Sequence, residues 1–423
     1  MERRVVITGL GIVAPNGVGL EAFTNAIKKG ISGIKHNPEL ERLQFSCQIS
    51  GTPEISEELK RHYFTDLELR NFNATGILYG VIAGMDAWKD AGLEIVNDEN
   101  PDWNSGTIFG TGTSGIEKFR ESIYKIDDFQ TRKLGSTAVA QTMNSGVSAY
   151  LGGKLGLGNQ VTTNSSACTT GTESILMGFE RIKLGQAKRM LVGSTSDSGA
   201  YIWGGFDAMK VCTFKHNQTP EQASRPMSAT ASGFVPSSGG GALLLEDLET
   251  ALARGARIYA EVLGGNINSG GQRGLGTMTA PNAVAVQKCI TNAMTNARIQ
   301  ANEIDAINGH LTATSKDGLE IQNWCDALNR RGIDFPYINS LKSMVGHCLS
   351  AAGSVESVAS VLQIYQGFIF PNINCEDLKT AIMECIDATK IPQKLIEKDI
   401  TILAKASFGF GDVNCCVIFK KYN

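Results

Sequence analysis

Cys168 stands in NSSACTTGTES, residues 164–174, among Ser165, Ser166, Thr169, Thr170 and Thr172 and just ahead of an apolar run that reads as a helix. A cysteine kept for packing keeps company with Val, Ile and Leu, so this setting makes Cys168 a candidate nucleophile. A free thiol titrates near about 8.5, and the field at a helix start favours its thiolate. Of the five histidines, His310 in INGHLTATSKD and His347 in SMVGHCLSAAG follow small residues at strand-to-loop or turn-to-helix junctions. One such histidine is more often structural. Two of them with a nucleophile-like cysteine form a constellation for nucleophilic catalysis.

Positioning these groups falls to short β-branched runs that alternate with amphipathic helical stretches: RRVVITGLG then LEAFTNAIKKG, GTIFGTG then SGIEKFRESIYKI, and later RMLVGSTSD. That alternation predicts α/β layering around a mostly buried sheet. The chain also repeats itself. NSSACTTGTESILMGFERIKLGQ gives a polar turn and a helix with apolar Ile175, Leu176, Phe179 and Ile182, and NSLKSMVGHCLSAAGSVESVASVLQIYQG matches it with Val355, Val358, Val361 and Leu362. Each half closes with a Gly-rich turn running into an apolar strand, GFVPSSGGGALLLED and SFGFGDVNCCVIFK. Two similar halves, residues 1–255 and 256–423, packed back to back bring the two helix starts together, and with them Cys168 and His347.

A length of 423 residues allows about three domains, or fewer if the halves share one core. A net charge of −3 argues against nucleic acid or an acidic membrane surface as the main partner. The ten cysteines are scattered without C-x-x-C spacing, which suggests neither a zinc site nor a disulfide framework. The N-terminal MERRVVITGLGIVAPNG reads as a first strand rather than a signal peptide, and the sequence holds no run of roughly 18 apolar residues that would predict a membrane span. A reducing cytoplasm is the expected compartment. GLGIVA (9–14) and GTGTSG (110–115) mimic a dinucleotide fingerprint, but the first runs into a Pro-Asn-Gly turn and neither has the acidic strand end about 20 residues on. Close backbone packing is the expected role of those glycines.

From VVITGLGIVAPNG through ACTTG, GARIYAEVLG, GHLTAT and LKSMVGHCLSAAG to SFGFGDVN, nearly the whole chain resembles a beta-ketoacyl-acyl-carrier-protein synthase of the elongating, condensing-enzyme II type, in the thiolase-like superfamily. The resemblance implies a five-layer αβαβα sandwich that catalyses decarboxylative Claisen condensation. It makes Cys168 the acyl-accepting nucleophile, His310 and His347 the catalytic histidines and Lys342 the active-site lysine, with Glu356 as its ion-pair partner. It places Thr312 and Thr314 along a phosphopantetheine tunnel and makes Phe410 a gating residue. It puts Thr113 where housekeeping relatives carry a branched aliphatic residue bounding the acyl pocket. The implied partners are an acyl carrier protein bringing acyl and malonyl thioesters, and an identical or ketosynthase-like second subunit. No resident cofactor or metal is implied, since phosphopantetheine arrives on the carrier.

The chain departs from the family pattern at Leu311, where a glycine is usual, at Asp412 in GFGDVN, at Met227-Ser228, at Pro236 to Gly239 and at Gly270, where an acid is expected. These departures are expected to narrow the tunnel, to place a charge beside the gate and to alter carrier access rather than chemistry. A thiolase would need a second catalytic cysteine in a Cys-Gly-Gly-like turn, whereas Cys415-Cys416 falls in a strand. A non-catalytic chain-length partner would lack the nucleophile, and Cys168 is present.

Overall fold

The computed structural model describes residues 3–96 and 99–423. The first half supplies strands β1 (Val5–Ala14), β2 (Ser105–Thr111), β3 (Val161–Thr162), β4 (Arg189–Ser196) and β5 (Gly239–Asp247). The second half supplies β6 (Ala260–Ser269), β7 (Ala306–Asn308), β8 (Tyr337–Asn339), β9 (Ile402–Gly409) and β10 (Val413–Lys420). The first five lie in the order β3-β2-β4-β5-β1 and the second five in the order β8-β7-β9-β10-β6, so strand for strand the two halves have one topology. The strand directions repeat too: β2 and β7 are each parallel to both neighbours, and the ladders from β4 and β9 onward are antiparallel. Between the halves, β1 pairs with β6 at Val5↔Val262, Val6↔Glu261 and Ile7↔Ala260, joining both sets into one ladder.

Helices α1 (Thr75–Asp90) and α2 (Gly146–Leu155) cover the outer face of the first half. Helices α4 (Ala283–Ala297) and α5 (Asp317–Leu328) belong to the outer layer of the second. Between the two five-stranded halves of this sheet run α3 (Thr170–Lys183) and α6 (Ala352–Gln366), packed on one another and on strands of both halves. The layering is αβαβα, a thiolase-type arrangement. The apolar positions named above on α3 and α6 are all buried in the cluster between the two halves, where they face neighbours on both sides. Separate outer clusters sit under α1 and α2 and under α4 and α5.

Gly9 and Gly11 sit inside β1, where a Cβ would lie 2.0 Å from the Ala87 carbonyl oxygen and 1.9 Å from that of Ala83 on α1. The glycine-rich start therefore lets a helix backbone lie against a strand, and close packing accounts for it. All ten cysteines are free thiols. Among the described residues, no helix is long and apolar enough to cross a membrane.

Candidate active site

Cys168 lies in a single 3-10 turn, Ala167–Thr169, that leads directly into α3, and the turn requires φ of +52° at Ala167. The hydroxyls around it are spent on holding that elbow. Thr169 Oγ1 donates to the Ser166 carbonyl at 2.6 Å, Thr170 Oγ1 donates to the Ala167 carbonyl at 2.7 Å, and the Ser166 amide donates to Thr170 Oγ1 at 2.9 Å. Glu173, one turn along α3, accepts from Ser166 Oγ and Asn164 Nδ2 at 2.5 and 2.8 Å. The elbow sets the half-buried Cys168 against open cavity space while its backbone stays satisfied.

His347 follows Gly346, whose φ of +69° no side chain tolerates easily. Its main chain is clamped by the preceding lobe: the His347 amide donates to the Val235 carbonyl at 2.8 Å and the Ser237 amide to the His347 carbonyl at 3.0 Å. The Leu349 amide donates to Nδ1 of His347 at 3.2 Å, so in the neutral ring the proton sits on Nε2. His310 follows β7, and its amide and that of Leu311 donate to the two oxygens of Glu320 at 2.6 and 2.7 Å. Asp317 does the same for the next residues, accepting from the Thr312, Thr314 and Met227 amides at 3.0, 3.3 and 2.8 Å. The two imidazoles meet edge to face with centroids 5.5 Å apart, and the Cys168 sulfur and one ring nitrogen from each lie within 4.8 Å of one another.

Two cavities of about 270 Å³ each converge on this point. The first is lined by His310, Thr312, Thr314, Thr279 and Pro281, the second by Thr113, Ile116, Ile202, Phe206 and Leu349. Cys168, Phe234, His347 and Phe410 line both, so the thiol and the Phe410 ring stand at the junction. Thr312 and Thr314 hydroxyls are 3.2 Å apart on the wall of the first cavity. Lys342 and Glu356 line neither cavity. They form a buried ion pair at 2.5 Å, and the charge of Lys342 bears on both imidazoles and on the Cys168 thiol.

Electrostatics follow from burial. Desolvation, then the charge of Lys342, holds both imidazoles well below their ordinary value, so both are neutral rings. Desolvation pushes the Cys168 thiol above its ordinary value, offset in part by Lys342 and by backbone N–H groups of Phe410 and Cys168 directed at the sulfur. The resting group is a thiol, not the thiolate that a helix start alone suggests, because the partial desolvation of a half-buried sulfur outweighs the field of a helix end.

Several expected perturbations fall elsewhere. Leu311 does not narrow the tunnel: its side chain is fully buried in the outer core of the second half. Asp412, two residues from Phe410, is buried against the facing loop. Its carboxylate accepts from the Gln272 and Asn282 amides at 3.0 and 2.8 Å, and a Cβ at Gly270 would stand 2.1 Å from it, so the acid missing from position 270 is supplied from the opposite loop. Pro236 and Ser237 lie not at carrier access but under His347, as part of its clamp. Glu320, Asp317 and the fully buried Lys405, whose Nζ lies 2.9 Å from Glu356, went unread in the sequence. The Asp-x-x-Glu at the start of α5 was the one available signal, and it looks like an ordinary charged first turn.

The beta-ketoacyl synthase N-terminal domain matches residues 2–251, and the C-terminal domain of the same name matches residues 259–376. The chain belongs to the beta-ketoacyl synthase family. This beta-ketoacyl synthase is 33% identical over 424 residues to 3-oxoacyl-acyl-carrier-protein synthase 1 of Haemophilus influenzae, covering 100% of both chains. It is 32% identical over 428 residues to synthase 2 of Vibrio harveyi, covering 99% of each, so identity does not choose between the two numbered types. In three dimensions it is similar, with a TM-score of 0.87 at 26% identity and 100% coverage of both chains, to a structure of a type II polyketide-synthase acyl-carrier protein in complex with its ketosynthase bound to the hexaketide.

Proposed function

We propose that this beta-ketoacyl synthase is a 3-oxoacyl-acyl-carrier-protein synthase of the condensing-enzyme II type, extending an enzyme-bound acyl chain with malonyl-carrier. The observation that carries the reading is the Cys168 sulfur flanked by two neutral imidazoles where two cavities meet. In this reading residues 1–255 supply the nucleophile and residues 256–423 the histidines.

Acyl-carrier presents its thioester through the first cavity, along Thr312 and Thr314, with the acyl chain in the second. The Cys168 sulfur attacks the thioester carbonyl, the bond to the phosphopantetheine sulfur breaks, and the thiol proton of Cys168 ends on that departing sulfur. Backbone N–H groups of Cys168 and Phe410 hold the oxyanion. Malonyl-carrier then binds in the first cavity and its C–C bond to the carboxylate breaks, releasing carbon dioxide. The enolate oxygen takes hydrogen bonds from the imidazole N–H groups, for which the Nε2 proton of His347 is already set by the Leu349 amide. The enolate carbon attacks the acyl–Cys168 carbonyl, and Cys168 leaves as thiolate and takes a proton from solvent. Phosphopantetheine travels on the carrier, so the reading calls for no resident cofactor, and a cytoplasmic setting keeps Cys168 reduced.

A second subunit, identical or ketosynthase-like, fits the face around the helix Ile116–Asp127, where Phe119, Tyr124, Phe129 and Val139 are exposed, Phe129 by 97%. That face adjoins the second cavity through Ile116 and Tyr201. Thr113 on that cavity supports a specialised acyl chain, unsaturated or polyketide-like, over a routine saturated one, since one pocket substitution shifts selectivity by about 1–3 kcal/mol. The test is intact-mass analysis of carrier products from malonyl-carrier with matched saturated and polyenoyl acyl-carriers. A 3-oxoacyl product two carbons longer, with one carbon dioxide per product, is expected. Failure to elongate any acyl-carrier contradicts the activity; a clear preference for saturated chains that Thr113→Ile leaves unchanged contradicts the specialisation.

A further inference from the structure

Lys405 on β9 is the buried charge that the reaction scheme above leaves without a task. Its side chain is 0% exposed, and its Nζ lies 2.9 Å from Oε2 of Glu356, donates to Ser407 Oγ at 3.1 Å and donates to the Ala406 carbonyl. Glu356 thus lies between two ammonium groups, Lys342 on one oxygen at 2.5 Å and Lys405 on the other. Ser407 Oγ in turn lies 2.9 Å from Thr172 Oγ1 on α3, one turn beyond Cys168. The network therefore ties β9 and α6 to the helix that carries the nucleophile.

An ammonium in a dry core costs several kcal/mol before pairing, and an apolar residue in its place is commonly neutral or stabilising. Desolvation pulls the Lys405 ammonium below its ordinary value and the Glu356 carboxylate offsets part of that; with both lysines protonated, the single carboxylate between them leaves a net positive charge beside the histidines. We infer that Lys405, which lines neither cavity, is a positioning residue of the reaction centre, ion-paired with the second oxygen of Glu356 and adding a second cation beside the His310–His347 pair. This rests on the reading of that pair as enolate donors. The charged and titratable groups around the two rings are Cys168 at the start of α3, Lys342 and Lys405, Glu356 on α6, Glu320 on α5 and each ring's partner histidine. Of these, Lys342 and Lys405 disfavour a proton on either ring, and His347 disfavours one on His310. A cation there also favours the negative charge that malonyl carboxylate and enolate bring into the cavity.

The test is Lys405→Met, with Lys405→Gln as the alternative should the first not fold, read by NMR titration of ring-labelled histidines. In the wild type, His310 and His347 should stay neutral below the ordinary histidine range, and in the folded variant both should gain protons at higher pH. Carbon dioxide release should fall at least about 10-fold relative to self-acylation, since only the former builds negative charge against the pair. Histidine titrations identical in the two folded proteins overturn the inference, whatever the rates. A wild type that releases no carbon dioxide from malonyl-carrier instead overturns the function proposed above, and leaves the titration to decide the role of Lys405.

Discussion

Gly171 on α3 and Gly353 on α6 meet backbone to backbone: a Cβ on Gly171 would lie 2.3 Å from the Ser354 nitrogen, and one on Gly353 2.5 Å from the Thr172 nitrogen. Each glycine follows its half's chemical residue by a few positions, Cys168 on one side and His347 on the other. The contact is what lets the two halves share one site. Gly353→Ala must push the helices apart, and overpacking against backbone has no flexible neighbour to absorb it. A stability loss of about 3 kcal/mol or more is expected in chemical denaturation, with condensation lost while the second cavity still binds a fatty acyl chain. Unchanged stability would mean that the helices cross elsewhere in solution.

The histidines should separate the two half-reactions. His310→Ala and His347→Ala are expected to keep appreciable self-acylation and to lose at least about 10²-fold in carbon dioxide release, as for a removed oxyanion donor. Single-turnover acylation and malonyl decarboxylation, measured side by side, check this. Normal decarboxylation in His347→Ala would make that ring structural.

The pH dependence of Cys168 follows from its surroundings. With the thiol pushed above its ordinary value by burial, the thiolate fraction keeps rising with pH through and beyond the normal thiol range. Alkylation of Cys168 by iodoacetamide should therefore still be accelerating where an exposed cysteine has levelled off. Lys342→Met removes the cation that offsets burial and should move the profile to higher pH. A profile that levels off near neutrality, or one that Lys342→Met leaves in place, contradicts this electrostatic account.

Asp412 and Gly270 should be coupled. Gly270→Ala sets a methyl group against the Asp412 carboxylate and is expected to cost about 1–3 kcal/mol. In an Asp412→Gly background the same substitution should cost far less, a non-additivity that a double-mutant cycle measures. Additive losses would show that the carboxylate does not occupy the space above Gly270 in solution.

That Cys168, His310 and His347 come together was legible because each follows small residues at a turn, a local signature. The paired halves were legible for a related reason: α3 and α6 repeat the same apolar spacing, and each half ends in a glycine-rich turn before a strand. The strand order of each half was not, since β2 lies beside β4 rather than β1 through pairings that no local run encodes. Beyond the Lys342–Glu356 pair, which the family resemblance supplied, the buried charges were not legible. Glu320, Asp317 and Lys405 have the composition of a solvated surface, and only tertiary contact shows that two of them hold the loop from His310 to Thr314. Leu311 misled for the opposite reason, because a change of residue type beside a catalytic histidine says nothing of which way the side chain turns.

Intact mass tests most directly whether Cys168 is the acyl acceptor. After incubation with acyl-carrier, the wild-type protein should gain the mass of one acyl group less one hydrogen, and Cys168→Ala should gain none. An acyl adduct of the same mass on Cys168→Ala would contradict it.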